Sequence, residues 1–281
     1  MNWRQYSLTH KELELAVIEH GPLGGQPLLA LHGWRDNAAS FERLAAELPE
    51  YRLIAPDFPG HGRSSRRHCQ AAYYIWSYVE DVLALLDQLP LERCVLMGHS
   101  MGGAVAILVA ALYPERVQSL VLLDAIGPLA TTAEAAPLQM RESLDLLKTR
   151  KLAYRHHYPD FATATAARAS KGVSDAAALA LAQRGVAQDE QGFYWQLDPR
   201  LNMKNLVSFT EEQSAAFMRK IACPVLQVAA KSFWLQREDW FWRRLGYLQN
   251  LETHVLDGNH HQHMEEQAVA VAGLIRSFVA G

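Results

Sequence analysis

Six residues, Gly98-His99-Ser100-Met101-Gly102-Gly103, constrain this chain more than any others. They follow a short apolar run at 94–97 and open a helical pattern rich in small residues at 101–113. A serine at the tip of a strand-to-helix turn is held in a strained backbone conformation. Side chains two residues to either side would crowd such a turn, so glycine fits at both flanks. The turn pushes the Ser100 hydroxyl into the open above a sheet. It also aims the Met101 N–H, at a helix N-terminus, where negative charge would develop on a neighbouring atom.

A turn of this kind needs a sheet beneath it, and the rest of the chain supplies one. Short apolar runs lie at 27–31, 51–55, 94–97, 120–123 and 225–229, with a last strand expected at 252–256 and an edge strand at 13–18. Helical patterns fill the intervals at 38–48, 73–89, 101–113, 236–248 and 265–279. Apolar runs buried on both faces, alternating with helices, describe a parallel sheet in an α/β protein. The alternation breaks after Gly127. From there to about Lys220 no strand is evident, and leucines recur at Leu138, Leu144, Leu147, Leu152, Leu179 and Leu181. So long a stretch is no loop in a compact domain. It is expected to be a helical cap, residues 128–220, inserted after the sixth strand. The core is then 1–127 and 221–281. Ligands of open α/β sheets bind at the carboxyl ends of the strands, where a cap would cover them.

Composition excludes several classes. Lys plus Arg is 27 and Asp plus Glu is 30, a net charge of −3, with no basic stripe beyond Arg63, Arg66, Arg67 and Arg243, Arg244. A nucleic-acid partner is not expected. Three scattered cysteines, Cys69, Cys94 and Cys223, offer no disulfide or metal framework and fit a reducing compartment. The N-terminus lacks a signal-peptide core, and the longest apolar run, 102–113, is too short to span a bilayer. The expectation is a cytoplasmic protein with no membrane partner, a small-molecule substrate and no cofactor. Pairing into a homodimer is compatible with the sequence.

With these elements in place the chain resembles the α/β-hydrolase superfamily. Gly98-His99-Ser100-Met101-Gly102 matches its G-x-S-x-G turn, the nucleophile elbow. Leu31-His32-Gly33-Trp34 matches its H-G-x loop, and Asp57-Phe58-Pro59-Gly60-His61-Gly62-Arg63-Ser64 its D-x-x-G-x-G-x-S turn. A narrower resemblance, to the serine hydrolase-like subgroup, rests on more of the chain. It includes His32 to Asn37, Leu123-Asp124 with Gly127-Pro128, Gly192-Phe193-Tyr194-Trp195, and Asp198-Pro199-Arg200-Leu201. The resemblance implies an eight-stranded, mostly parallel sheet. It also implies an oxyanion hole made by the Trp34 and Met101 N–H groups, and architectural roles for Asp57 and His61.

Ser100 needs a base, and in this fold the order is Ser, then Asp or Glu, then His. Asp257-Gly258-Asn259-His260-His261-Gln262-His263-Met264-Glu265 follows the last strand, and three of its histidines compete. The family pattern of a preceding glycine and a glutamate five residues on selects His260 over His261 and His263. Closely spaced histidines can also hold zinc, but no companion Cys or carboxylate cluster supports a metal site here. The acid departs from the commonest pattern. After the run at 225–229 the chain reads Ala229-Ala230-Lys231-Ser232-Phe233-Trp234, and no carboxylate appears until Glu238 and Asp239. Asp124, ending the sixth strand, is the expected acid, with Glu238 or Asp239 as the alternative. His32, His99, Trp195 and Trp234 are expected to shape the substrate pocket.

The reading that follows is a serine hydrolase, carboxylesterase-like, cleaving a hydrophobic small-to-medium ester or thioester through an acyl-enzyme. Two other chemistries stay open on this fold. One is carbon–carbon bond hydrolysis. The other is a cofactor-free dioxygenase on a hydroxyquinolone-type substrate, whose relatives share the tryptophan after the loop glycine and an Asp at the sixth strand end. A non-catalytic binding module is the third alternative.

Overall fold

The continuous apolar runs become the inner strands of an eight-stranded sheet. The structure is a computed structural model that describes residues 3–69, 71–148, 155–203, 205–232 and 238–280. Its core strands are β1 Arg4–His10, β2 Leu13–His20, β3 Pro27–Leu31, β4 Arg52–Pro56, β5 Cys94–His99, β6 Val117–Leu123, β9 Val225–Ala230 and β10 Leu251–Leu256. They lie in the order β1-β2-β4-β3-β5-β6-β9-β10. The pairs β1–β2 and β2–β4 are antiparallel and the remainder parallel. β5 and β9 are buried throughout, as strands covered on both faces must be.

Successive side chains on these strands feed two cores. Leu29, Leu31, Leu96, Leu120 and Leu122 face α2 (Ile75–Gln88), α3 (Met101–Leu112) and α8 (Glu238–Leu245). Leu28, Ala30, Val95, Met97 and Val121 face α1 (Glu42–Ala46) and α9 (Ala268–Ala280). The period of two is that of a pleated strand with both faces covered.

Two expectations change. The strand expected at the sheet edge, around Leu13–His20, is an inner one, because β1 pairs with its whole length. β1 reads Arg-Gln-Tyr-Ser-Leu-Thr-His and alternates exposed with half-buried positions, so it lacks the apolar run that marks the others. The segment 128–220 is not wholly helical. It holds α4 (Ala136–Leu147), α5 (Phe161–Ala169), α6 (Asp175–Gly185) and α7 (Glu211–Met218), and also an antiparallel hairpin of β7 (Val186–Asp189) and β8 (Gly192–Trp195). β7 is half polar and only partly buried, which hides it from an apolar-run criterion.

A buried ion pair and a buried hydrogen bond attach this segment to the core. Arg184 of α6 donates from Nε to Asp57 Oδ1 at 2.9 Å, and Asn37 Nδ2 donates to the Leu181 carbonyl at 2.9 Å. The Asp57 carboxylate also accepts the Ala38 and Arg63 N–H groups, each at 2.7 Å. Asp57 is therefore architectural, organising the turn after β4. Among the described residues no helix is long and apolar enough to cross a membrane.

One member of the Arg243-Arg244 pair is fully buried. Arg244 of α8 donates to the Ile126 and Pro128 carbonyls at 3.1 and 2.7 Å and pairs with Glu211 of α7 at 2.7 Å. It fixes the loop that follows β6. Arg244→Met would orphan two carbonyls and a carboxylate, and is expected to cost about 2–4 kcal/mol. Equilibrium urea unfolding measures this, and an unchanged midpoint would refute it.

Candidate active site

The strand order reverses between β3 and β5. From β3 the chain moves to β4 on one side, then returns to place β5 on the other. In open α/β sheets the crevice at such a switch point, outside the carboxyl ends of the strands, is where ligands bind. A cavity of about 840 Å³ opens there. Trp34, just past β3, and Ser100 and Met101, just past β5, line it together. Its other walls are largely apolar. Ile75 and Trp76 come from α2, Ile126 from the loop after β6, and Leu138, Leu201 and Phe209 from the segment 128–220, with Gln139, Asn202 and Ser208 as polar members.

Ser100 has φ 50° and ψ −112°, a conformation that few non-glycine residues adopt. Packing on both flanks enforces it. A Cβ on Gly98 would lie 2.4 Å from the backbone of Gly102 and Gly103, and one on Gly102 would lie 2.0 Å from the Leu31 carbonyl oxygen. The α3 N-terminus is thereby seated against the end of β3, which brings the Met101 amide and the loop carrying Trp34 to one cavity.

Asp124 ends β6 with φ 48° and is fully buried. Its Oδ1 accepts the Ala230 N–H at 2.8 Å, and its Oδ2 accepts the His260 Nδ1–H at 2.5 Å. With the Nδ1 proton committed to the carboxylate, the neutral ring carries its lone pair on Nε2, the nitrogen a base needs. Burial pulls the His260 pKa below the ordinary imidazole value. The Asp124 bond opposes that shift, and the neighbouring His99 adds to it. Glu238 and Asp239, the alternative acids, lie exposed in the first turn of α8.

The pocket roles expected of His32, His99 and Trp195 do not match where the structure puts them, because none of the three lines the cavity. His32 is fully buried beneath it. Its Nε2 accepts the Phe58 N–H at 2.9 Å and its Nδ1–H donates to the Gly33 carbonyl at 2.8 Å, so it pins two turns together. Burial lowers its pKa to about 4, which keeps it neutral. His99 is turned away from the cavity, and its Nε2–H donates to the His260 carbonyl at 2.9 Å. Trp195 sits in β8, where its Nε1–H donates to the Ala164 carbonyl at 3.1 Å. Trp234 lies outside the described residues.

His263 is fully buried and His261 partly so, and burial lowers both their pKa values, that of His261 to about 3. Among the described residues no group of three or more His, Cys, Asp or Glu is arranged to hold a metal ion. Sequence reasoning missed the α2 contribution to the cavity. Trp76 falls out of phase with Tyr78, Val82 and Leu85, the buried stripe of that helix. An aromatic residue off the core stripe was the available signal.

Comparison with known proteins agrees with this fold. Residues 26–266 match the family described as alpha/beta hydrolase fold. A serine hydrolase-like protein of Danio rerio is 33% identical over 271 residues, covering 92% of this chain and 83% of that one. A hypothetical protein of Pseudomonas aeruginosa PAO1 has a crystal structure that superposes with a TM-score of 0.93, at 38% identity over 99% of both chains. The thioesterase domain from the curacin biosynthetic pathway shares the fold, with a TM-score of 0.88 at 24% identity, over 99% of this chain and 100% of that one. The chain thus belongs to the α/β-hydrolase fold family, among its serine hydrolase-like members.

Proposed function

We propose that this protein is a serine hydrolase that cleaves hydrophobic small-to-medium carboxylic esters or thioesters, with Ser100 as nucleophile, His260 as base and Asp124 as acid. The observation that carries this reading is the pairing of His260 Nδ1 with Asp124 Oδ2 at 2.5 Å in a site where Ser100, in its strained turn, faces an apolar cavity. His260 Nε2 takes the hydroxyl proton as Ser100 Oγ bonds to the substrate carbonyl carbon. The Trp34 and Met101 N–H groups hold the resulting oxyanion. The intermediate collapses, and the alcohol or thiol leaves with the proton from the imidazolium. Water, deprotonated by the same ring, then attacks the acyl-enzyme and releases the acid. Asp124 holds the tautomer and stabilises the imidazolium without itself taking the proton. The segment 128–220 acts as a cap, its Leu138, Leu201 and Phe209 closing the apolar side of the cavity where an acyl chain would lie.

A fluorophosphonate probe is expected to label the wild-type protein at Ser100 and to leave Ser100→Ala unlabelled. Absence of labelling on folded protein would refute the reading. Oxygen uptake on a hydroxyquinolone that survives Ser100→Ala would replace it with the dioxygenase chemistry.

The base must be neutral to act, so kcat/KM rises with pH through the His260 pKa and then levels. Burial lowers that pKa, so the acid limb is expected below the ordinary imidazole value of about 6.5. A midpoint above that value in a pH–rate profile would contradict the assignment. Asp124→Asn keeps the shape but permits the wrong tautomer, and is expected to lower kcat by about 10³–10⁴-fold. Steady-state kinetics on a p-nitrophenyl ester checks this.

A further inference from the structure

We propose that the ion pair between the buried Asp36 and the partly buried Arg168 is a positioning device for the catalytic base, through which helix α5 of the inserted segment sets the geometry of His260. This inference rests on the hydrolase reading above.

His260 is held at two points. Its ring is fixed by Asp124, and its backbone carbonyl accepts the Nε2–H of His99, the residue before the nucleophile. The other face of His99 turns toward Asp36, with Nδ1 3.6 Å from Oδ2. Asp36 lies in the loop after β3 and is almost wholly buried. Its Oδ1 accepts a hydrogen bond from Arg168 Nη2 at 2.5 Å. The same guanidinium approaches His261 Nε2 at 3.4 Å, and His261 Nε2 lies 3.7 Å from Asp36 Oδ2. The His263 ring packs on His99 with centroids 4.3 Å apart. One buried carboxylate therefore organises the elbow histidine, the residue after the base and an arginine from the inserted segment.

A buried carboxylate is costly unless it is paired and hydrogen-bonded. Burial would push Asp36 up, but the Arg168 guanidinium beside it holds it well below the usual carboxylate range. None of these groups lines the cavity. Their effect on the reaction is to hold the loop that carries His260, where displacements of about 1 Å are costly to rate. Among the described residues, the titratable groups around His260 include Asp124 from the end of β6, His99 from β5, Asp36 from the loop after β3, and His261 and His263 from its own loop, with Arg168 of α5 beside Asp36. Losing the Arg168 cation leaves the Asp36 charge uncompensated beside these imidazoles, and that charge favours the protonated form of His260.

The test is the rate of fluorophosphonate labelling at Ser100, together with kcat, KM and the acid limb for a p-nitrophenyl ester. Arg168→Met is expected to slow labelling and kcat about tenfold or more, leave KM nearly unchanged, and move the acid limb to higher pH. Arg168→Lys, which keeps the cation, restores most of the rate and the wild-type limb. His99→Leu and His99→Gln test the same chain of contacts from its other end should Arg168→Met fail to fold. The leucine variant slows labelling about tenfold and the glutamine variant, which keeps a donor for the His260 carbonyl, recovers it. Folding is followed by circular dichroism. Folded Arg168→Met or His99→Leu that labels at the wild-type rate with an unmoved acid limb would overturn the inference, as would a lysine variant as slow as the methionine one. A wild-type protein that does not label at all overturns the hydrolase reading instead, so the two failures are distinct.

Discussion

The space between the N-terminus of α3 and the end of β3 has no room for a methyl group. The Leu31 carbonyl occupies the place a Cβ on Gly102 would take, and Gly98 faces the backbone of the same helix turn. This contact forces Ser100 out of the ordinary backbone regions. It also determines which groups share the cavity. A helix seated further out would separate the Met101 amide from the loop bearing Trp34. The strain at one residue is sustained by the two fully covered sheet faces beneath it, where β5 makes parallel ladders with both β3 and β6.

The placement of Asp124, the proposed acid, follows from the same ladder. β6 and β9 are parallel neighbours, so the residue just past β6 stands beside the end of β9. Asp124 uses that proximity twice. Its backbone N–H continues the ladder to the Val228 carbonyl, and its Oδ1 takes the Ala230 N–H. Its other oxygen is directed at the loop after β10. A carboxylate at the end of β6 thus reaches a histidine that the commoner pattern serves from the end of β9. The positive φ at Asp124 is a conformation that aspartate tolerates better than most residues.

The inner strands were legible because burial on both faces leaves a continuous apolar signature, as in Pro27–Leu31 and Cys94–His99. The elbow was legible because steric exclusion writes glycine at fixed offsets from the serine. The polar edge strand β1 and the half-polar β7 were not, since exposed positions interrupt any run, and β8, only Gly-Phe-Tyr-Trp, is too short to mark a strand by itself. Three-dimensional packing decided the fate of the histidines. His32 and His99 neighbour the site in sequence, yet turns at both strand ends rotate them out of the cavity wall, where both His32 nitrogens and His99 Nε2 meet backbone groups and His99 Nδ1 faces Asp36. Periodicity alone carries no information about that rotation.

The inserted segment divides by the kind of contact it makes. Its α5 and α6 helices are fastened to the core through Arg168 and Arg184, each meeting a carboxylate that is almost wholly buried. Its α4 helix and the stretch around Leu201 to Phe209 instead present side chains to the cavity, and Leu138 and Leu144 remain substantially exposed. Paired buried charges are directional, and breaking either partner is costly. Apolar walls are tolerant of rearrangement and indifferent to the details of what they cover. A segment built this way can hold the loops beneath it in register through one half. Under the proposed hydrolase reading the other half is left free to vary in the side chains that meet a substrate, so selectivity and catalytic geometry are carried by different residues of the same insertion.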